Sequence, residues 1–110
     1  MKTDKLIEFY QGLAPEGIAR FPEFYSADAY FKDPFNEVRG VAAIQRIFTH
    51  MFEQVGEPRF VVSEKVVAEN GVMLVWDFHY RAKLLGKEGA QVIRGASHLK
   101  FDAGGRVNYH

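Results

Sequence analysis

Asp33 stands immediately before Pro34, at the end of a short apolar strand, Ala29-Tyr30-Phe31-Lys32, and ahead of a strongly apolar helix. A carboxylate placed there can face an apolar cavity. Partial desolvation by Phe31, Trp76 and Phe78 would suit it to accept a proton near neutrality, the work of a general base beside a carbonyl. The same residues allow a plainer role, because Asp before Pro also caps the turn that follows, from a solvent-exposed position. Tyr10 lies on the apolar face of its helix, where a buried phenol needs a hydrogen-bond partner. Trp76, Phe78 and Tyr80 share one parity of a long strand with Leu74, and Leu99 holds the matching parity of the next. They read as core or as the aromatic wall of a substrate pocket. His79 and His98, with Asp77, take the opposite parity. Two strand histidines and an acid are metal ligands in kind, but no tight ligand spacing accompanies them, and they read as solvated or dimer-face residues. His50 faces away from the apolar stripe of its helix. A nucleophile elbow, a phosphate-cradling glycine loop and a dinucleotide fingerprint are all missing from the sequence. The expected site therefore uses no cofactor and no metal.

The elements that must position these residues follow from hydrophobic periodicity. Leu6, Ile7, Phe9, Tyr10 and Leu13 trace one helical face, with Thr3 or Asp4 as N-cap and Pro15 and Gly17 as the stop. Phe21, Phe24 and Tyr25 predict a short second helix after Pro22. The strand ending at Asp33 follows, extended at its last residue because proline comes next. Val41, Ile44, Ile47, Phe48, Met51, Phe52 and Val55 repeat at three and four, with Gly56 as the stop and Pro58 beyond it. From Arg59 the period becomes two. Asn70-Gly71 marks a hairpin, and turns near Gly86 to Gly89 and at Asp102-Ala103-Gly104-Gly105 separate four successive antiparallel strands. Even positions from Val72 to Leu84 are apolar, and Ile93, Gly95, Ser97, Leu99 and Phe101 form the matching inward set. Ser97 is its one side-chain hydrogen-bonding group. Three N-terminal helices and a meander of strands make an α+β chain. An apolar sheet face of this length curls around the helices and leaves a cone, wide near Asp33 and either open or filled by phenylalanine rings.

Composition narrows the partners. At 110 residues the chain is one domain, long enough to remove ~60–70% of its unfolded surface from water. Aromatics reach 15%, with ten Phe, a surplus of ring surface that lines pockets or subunit interfaces. Fourteen Lys plus Arg balance fourteen Asp plus Glu, which leaves no electrostatic footprint for nucleic acid or an anionic membrane. No apolar run approaches the ~20 residues that span a bilayer. The absence of cysteine excludes thiolate chemistry, disulfides and cysteine-ligated zinc, and with no signal-peptide core after Met1 the expected compartment is the cytoplasm.

The segment Phe24-Tyr25-Ser26-Ala27-Asp28-Ala29-Tyr30-Phe31-Lys32-Asp33-Pro34, with Gly40 and the helix from Val41, resembles the nuclear-transport-factor-2-like superfamily, which includes the SnoaL-like polyketide cyclases and the ketosteroid isomerases. A second stretch, Ser97-His98-Leu99-Lys100-Phe101-Asp102-Ala103-Gly104-Gly105-Arg106-Val107, resembles that family's alternating strand, Asp-x-x-Gly turn and Arg-Val. The resemblance spans nearly the whole chain. It implies a cone-shaped curved antiparallel sheet around the helices, the cystatin-like roll, in a single SnoaL-like domain over 1–110. It allows for a C-terminal extension that this sequence lacks.

The resemblance also implies roles. In ketosteroid isomerases an Asp of an Asp-Pro pair is the base, and a first-helix Tyr with a protonated Asp holds the enolate oxygen. Asp33 matches the base, and Tyr10 stands near the position of the Tyr, as oxyanion donor or as a core residue. Ser97 falls where the second acid would be. A serine hydroxyl is the weaker donor, and losing one oxyanion donor costs ~10²–10³ in rate, so steroid isomerisation is not the expected reaction. His110 shares the parity of Asn108, which the family pattern turns inward. It is either an acid-base partner for Asp33 or a frayed chain end. A small apolar molecule is the expected partner and a homodimer the expected assembly. Turnover on an enolisable carbonyl and simple ligand binding or dimerisation are the two functions the fold could serve.

Overall fold

In the computed structural model, which describes residues 2–82 and 89–110, the first helix α1 runs Lys2–Gln11 and buries Leu6, Phe9 and Tyr10. It starts ahead of Thr3 and Asp4, so neither is its N-cap. Asp4 instead meets the Lys65 ammonium at 3.0 Å across α1 and the sheet. A 3₁₀ turn (Pro15–Arg20) leads into the one-turn helix α2 (Phe21–Phe24). Tyr25 is not the end of that helix, as the periodicity predicted, but the first residue of strand β1 (Tyr25–Lys32), with an extended backbone. Its ring still packs against Phe21, 5.5 Å away, so the contact a helix would give at this spacing is made from the strand.

Strand β2 (Glu37–Arg39) folds back antiparallel on β1. Gly40 then adopts φ +103°, a left-handed conformation that favours glycine, and starts α3 (Val41–Gln54). This helix sends Ile44 and Phe48 into the core. Strand β3 (Val55–Ala68) begins directly at Val55, four residues before the predicted change of period. Val55 and Gly56 already pair with Ala82 and Arg81, and the skip to Arg59 is a bulge at Glu57, whose φ is +49°. The bulge hid the early strand by breaking its alternation.

Strand β4 (Gly71–Ala82) returns antiparallel to β3, but the turn is Glu69-Asn70, with Gly71 already paired to Ala68. Gly71 serves a close approach instead of the turn: a Cβ there would fall onto the carbonyl of Leu99. Strands β5 (Ala90–Phe101) and β6 (Val107–Tyr109) complete the sheet, in the order β2-β1-β6-β5-β4-β3. Lys83, Leu84 and most of the predicted Gly86 to Gly89 turn lie outside the described residues. The Asp102 turn holds as expected, with its carboxylate accepting the Arg106 N–H at 2.9 Å and Gly105 at φ +84°.

The sheet is antiparallel except where β6 runs parallel to β1. Strand β6 meets β5 only at Lys100 and Phe101. Beyond those two residues the curled sheet opens into its interior, between the end of β1 and the middle of β5. The fold is α+β, a curved sheet closing on the helices through Tyr25, Phe31, Leu74 and Leu99.

Candidate functional site

A cavity of about 840 Å³ occupies the cone. It reaches from the turn Lys32–Asn36 to Ser97 and Leu99 on β5, and Phe31, Trp76 and Phe78 stand on its wall. Four of the sequence-predicted site residues, Asp33, Tyr10, Ser97 and His110, line this same space. The phenylalanine rings do not fill it.

Three of those four join one hydrogen-bonded chain. The Tyr10 and Tyr25 hydroxyls are in direct hydrogen bond, the Tyr25 hydroxyl lies 2.7 Å from His110 Nδ1, and His110 Nε2 lies 3.0 Å from Ser97 Oγ. Trp76 closes the far end, its indole N–H donating to Ser97 Oγ at 3.0 Å. Each side chain comes from a different place: Tyr10 from α1, Tyr25 from the start of β1, Ser97 and Trp76 from paired strands, His110 from just past β6. Among the described residues no buried side-chain polar atom lacks a partner, so the chain is complete.

His110 is not frayed. Its N–H donates to the Tyr30 carbonyl and its own carbonyl accepts from Lys32 N–H, both at 2.9 Å, which pins it to β1. The Phe31 ring lies 4.6 Å from the imidazole. Burial lowers the imidazole pKa from 6.5 to about 4, and the Asp33 charge opposes this without overcoming it. The ring is therefore neutral at pH 7. Burial raises both Tyr10 and Tyr25 well above the ordinary phenol value, so both hydroxyls keep their protons.

Asp33 is half-buried and follows the last residue of β1 at the rim of the cavity. Its Oδ1 accepts the backbone N–H groups of Phe35 at 2.9 Å and Asn36 at 2.7 Å, together with Asn36 Nδ2 at 3.1 Å. Its Oδ2 has one longer contact, 3.3 Å from Asn36 Nδ2. The turn-capping reading thus describes Oδ1, and Oδ2 is the oxygen left for other work. No hydrogen bond joins Asp33 to His110 among those of the described residues, so the two act on each other only through charge.

Tyr80 is not on the cavity wall. It stacks on Phe78 at 5.3 Å and faces a separate surface groove with Gln11, Leu13 and Arg59. Asp77 is taken by Arg94 at 3.0 Å, and among the described residues no His, Asp and Glu cluster could hold a metal. Two contributors went unread in the sequence. Tyr25 bridges Tyr10 and His110, and no alternation marked it: Tyr25 and Ser26 are both buried, Ala27 and Asp28 are both exposed, and the pairing with β6 shifts register between Tyr25 and Tyr30. Gly95 pairs with Trp76 on the neighbouring strand, and a Cβ at Gly95 would collide with the indole. Glycine there lets Trp76 lie across β5 with its N–H on Ser97.

Solved structures of similar fold share little sequence with this chain. An NTF2-like protein of unknown function from Exiguobacterium superposes with a TM-score of 0.81 at 12% identity, over 99% of this chain and 93% of that one. A candidate SnoaL-like polyketide cyclase from Shewanella denitrificans gives 0.76 at 21% identity, over 98% and 85%. A protein of ketosteroid isomerase-like fold from Catenulispora acidiphila, solved with trimethylamine, gives 0.78 at 12% identity, over 98% and 80%. A search among curated proteins finds no match. The sequence model of the SnoaL-like domain matches residues 6–110, and the chain belongs to that family.

Proposed function

We propose that the chain is a small-molecule enzyme of the isomerase or cyclase kind, acting without a cofactor on a compact apolar substrate with an enolisable carbonyl. The observation that carries this reading is the convergence of Asp33 and the Tyr10–Ser97 chain on one apolar cavity. Asp33 Oδ2 takes a proton from the carbon next to the carbonyl. The C–H electron pair moves into a C=C bond, and the carbonyl oxygen gains the negative charge. The hydroxyls of Tyr10 and Ser97 are the donors within the cavity that can meet that oxygen. In a β,γ-unsaturated ketone the proton then returns from Asp33 to the γ carbon, which moves the double bond into conjugation; with a second carbonyl in reach the enolate carbon attacks it, closing a ring, and the resulting alkoxide takes the proton. General-base catalysis of this kind contributes ~10²–10⁴ in rate.

A second reading is a ligand-binding module without turnover, and the Asp33 turn favours it, since capping Phe35 and Asn36 already accounts for one carboxylate oxygen. The two separate in one assay. A β,γ-unsaturated cyclic ketone is mixed with the protein and the conjugated product followed by ultraviolet absorbance, with Asp33→Asn alongside. The amide keeps an oxygen for the turn but cannot accept the proton. Turnover lost by ~10²–10⁴ in the variant supports the base. No rate above buffer for either protein removes the isomerase and leaves ring closure or binding.

A further inference from the structure

The hydrogen-bonded chain can be counted proton by proton. The Trp76 N–H is only a donor, so its contact with Ser97 is fixed in direction. Tyr10, Tyr25, Ser97 and a neutral His110 carry one mobile proton each, and three contacts link them. Each contact consumes one proton, so one is left over. It is not the imidazole proton, because both ring nitrogens are engaged. Nor is it the proton of Tyr25, which is 1% exposed and whose hydroxyl meets only Tyr10 and His110. The spare proton therefore sits on Tyr10 or on Ser97, the two ends that line the cavity. With a neutral ring the chain offers the cavity one donor at a time.

Protonating His110 changes the count without moving a heavy atom. Nδ1–H donates to Tyr25, Tyr25 to Tyr10, and the Tyr10 hydroxyl is free to donate into the cavity. Nε2–H donates to Ser97, and the Ser97 hydroxyl is free as well. We infer that His110 couples oxyanion binding to uptake of one proton: a phenolate or enolate draws a proton from solvent onto the imidazole and receives two hydroxyl donors where a neutral ketone receives one. This deepens the reading of the cavity as a ligand site and rests on it.

The surroundings agree. Burial keeps the ring neutral in the empty site, and an anion in the same low-dielectric space supplies the opposing charge. The ionisable groups around the ring are Tyr10 from α1, Tyr25 from β1 and Asp33 beyond its end, while Tyr30, Lys32, His50, His98 and Tyr109 line the same cavity. Phe31 and Phe48 add no charge. Of these groups only His110 touches both arms of the chain.

The test is calorimetric titration of the whole chain with 2,4-dinitrophenol, which is ionised and yellow at about pH 6, in buffers of different ionisation enthalpy. The expected result is uptake of about one proton per ligand bound, a bound ligand that stays yellow, and affinity rising about tenfold per pH unit lowered. Asp33→Asn retains the uptake and His110→Gln abolishes it. If His110→Gln does not fold, ¹⁵N resonances of the imidazole in the unaltered protein decide the matter, since they must move to imidazolium positions as ligand is added. Binding without uptake, uptake that survives His110→Gln, a colourless bound ligand, or unmoved imidazole resonances would each overturn the inference. A neutral cyclic ketone that binds where dinitrophenolate does not overturns it and leaves the ligand site standing. If neither binds, both fall.

Discussion

The neutral buried histidine makes stability depend on pH in a way that can be worked out and isolated. In the unfolded chain His110 titrates near 6.5, and in the fold burial holds it to about 4. Below pH 6.5 the unfolded state binds a proton that the folded state refuses, so stability falls as pH falls. The loss begins near 6.5, is complete near 4, and is absent above 6.5. Each pH unit of that gap is worth ~1.4 kcal/mol, so the full loss is about 3 kcal/mol and roughly 2 kcal/mol is gone by about pH 5. Replacing His110 by Gln removes this titration and leaves every other one in place.

Trp76 is the sole tryptophan and donates to Ser97, which binds His110, so its fluorescence reports the site during urea unfolding. With a slope of ~1–3 kcal/mol per molar urea, the wild-type midpoint should drop by roughly 0.7–2 M between about pH 7 and pH 5 relative to the variant. The comparison is a difference of differences. Exposed acids such as Asp4 and Glu23, whose pKa values are lowered by Lys65 and Arg20, titrate alike in both proteins and cancel. A stability difference between the two proteins that stays flat from about pH 7 to pH 4.5 would refute the neutral buried imidazole.

Tyr25→Phe keeps the ring and deletes the hydroxyl that joins Tyr10 to His110, leaving two buried groups without their partner. It should cost about 2–3 kcal/mol and lower Tm by roughly 10 °C, and a change under ~0.5 kcal/mol in thermal unfolding would mean that the hydroxyl bridges nothing. Gly95→Ala pushes on the Trp76 indole; it should cost about 1–3 kcal/mol and shift the tryptophan emission as the bond to Ser97 breaks, whereas an unchanged spectrum and midpoint would show that the strand has room.

How much of this was legible follows from how local each signal is. The alternation of Val72, Leu74, Trp76 and Phe78 and the stripe of Ile44, Ile47, Phe48 and Met51 are short-range patterns that tertiary packing reinforced, so the meander and the core helix could be read directly. The errors fell where a residue serves a distant neighbour. Asn70-Gly71 has the composition of a turn, but Gly71 passes over the Leu99 carbonyl and the turn moves one residue back. Tyr25 follows a helical pair in sequence, yet its ring answers to Phe21 and His110. Tyr80 shares the parity of Phe78, but how far along β4 the cavity reaches is a tertiary fact: Phe78 lines it, and Tyr80 lines the groove beside Gln11 and Leu13.

The site was legible by halves for the same reason. Asp33, Tyr10 and Ser97 stand at positions that strand and helix periodicity mark, and all three face the cavity. Their relation to one another depends on β6, three residues long, lying parallel to β1 although some eighty residues separate them. A parallel pair leaves no turn signature, because no short connection joins its strands. That one pairing brings His110 between Tyr25 and Ser97 and turns two isolated hydroxyls into the ends of a single chain. It also decides the chemistry. An acid at position 97 would be a fixed donor only when protonated, whereas a serine linked through imidazole to a phenol can donate or accept according to where one proton lies. In the proposed reaction Ser97 would then be an adjustable donor where a protonated acid would be a fixed one, and the histidine that would adjust it is His110, held between Tyr25 and Ser97.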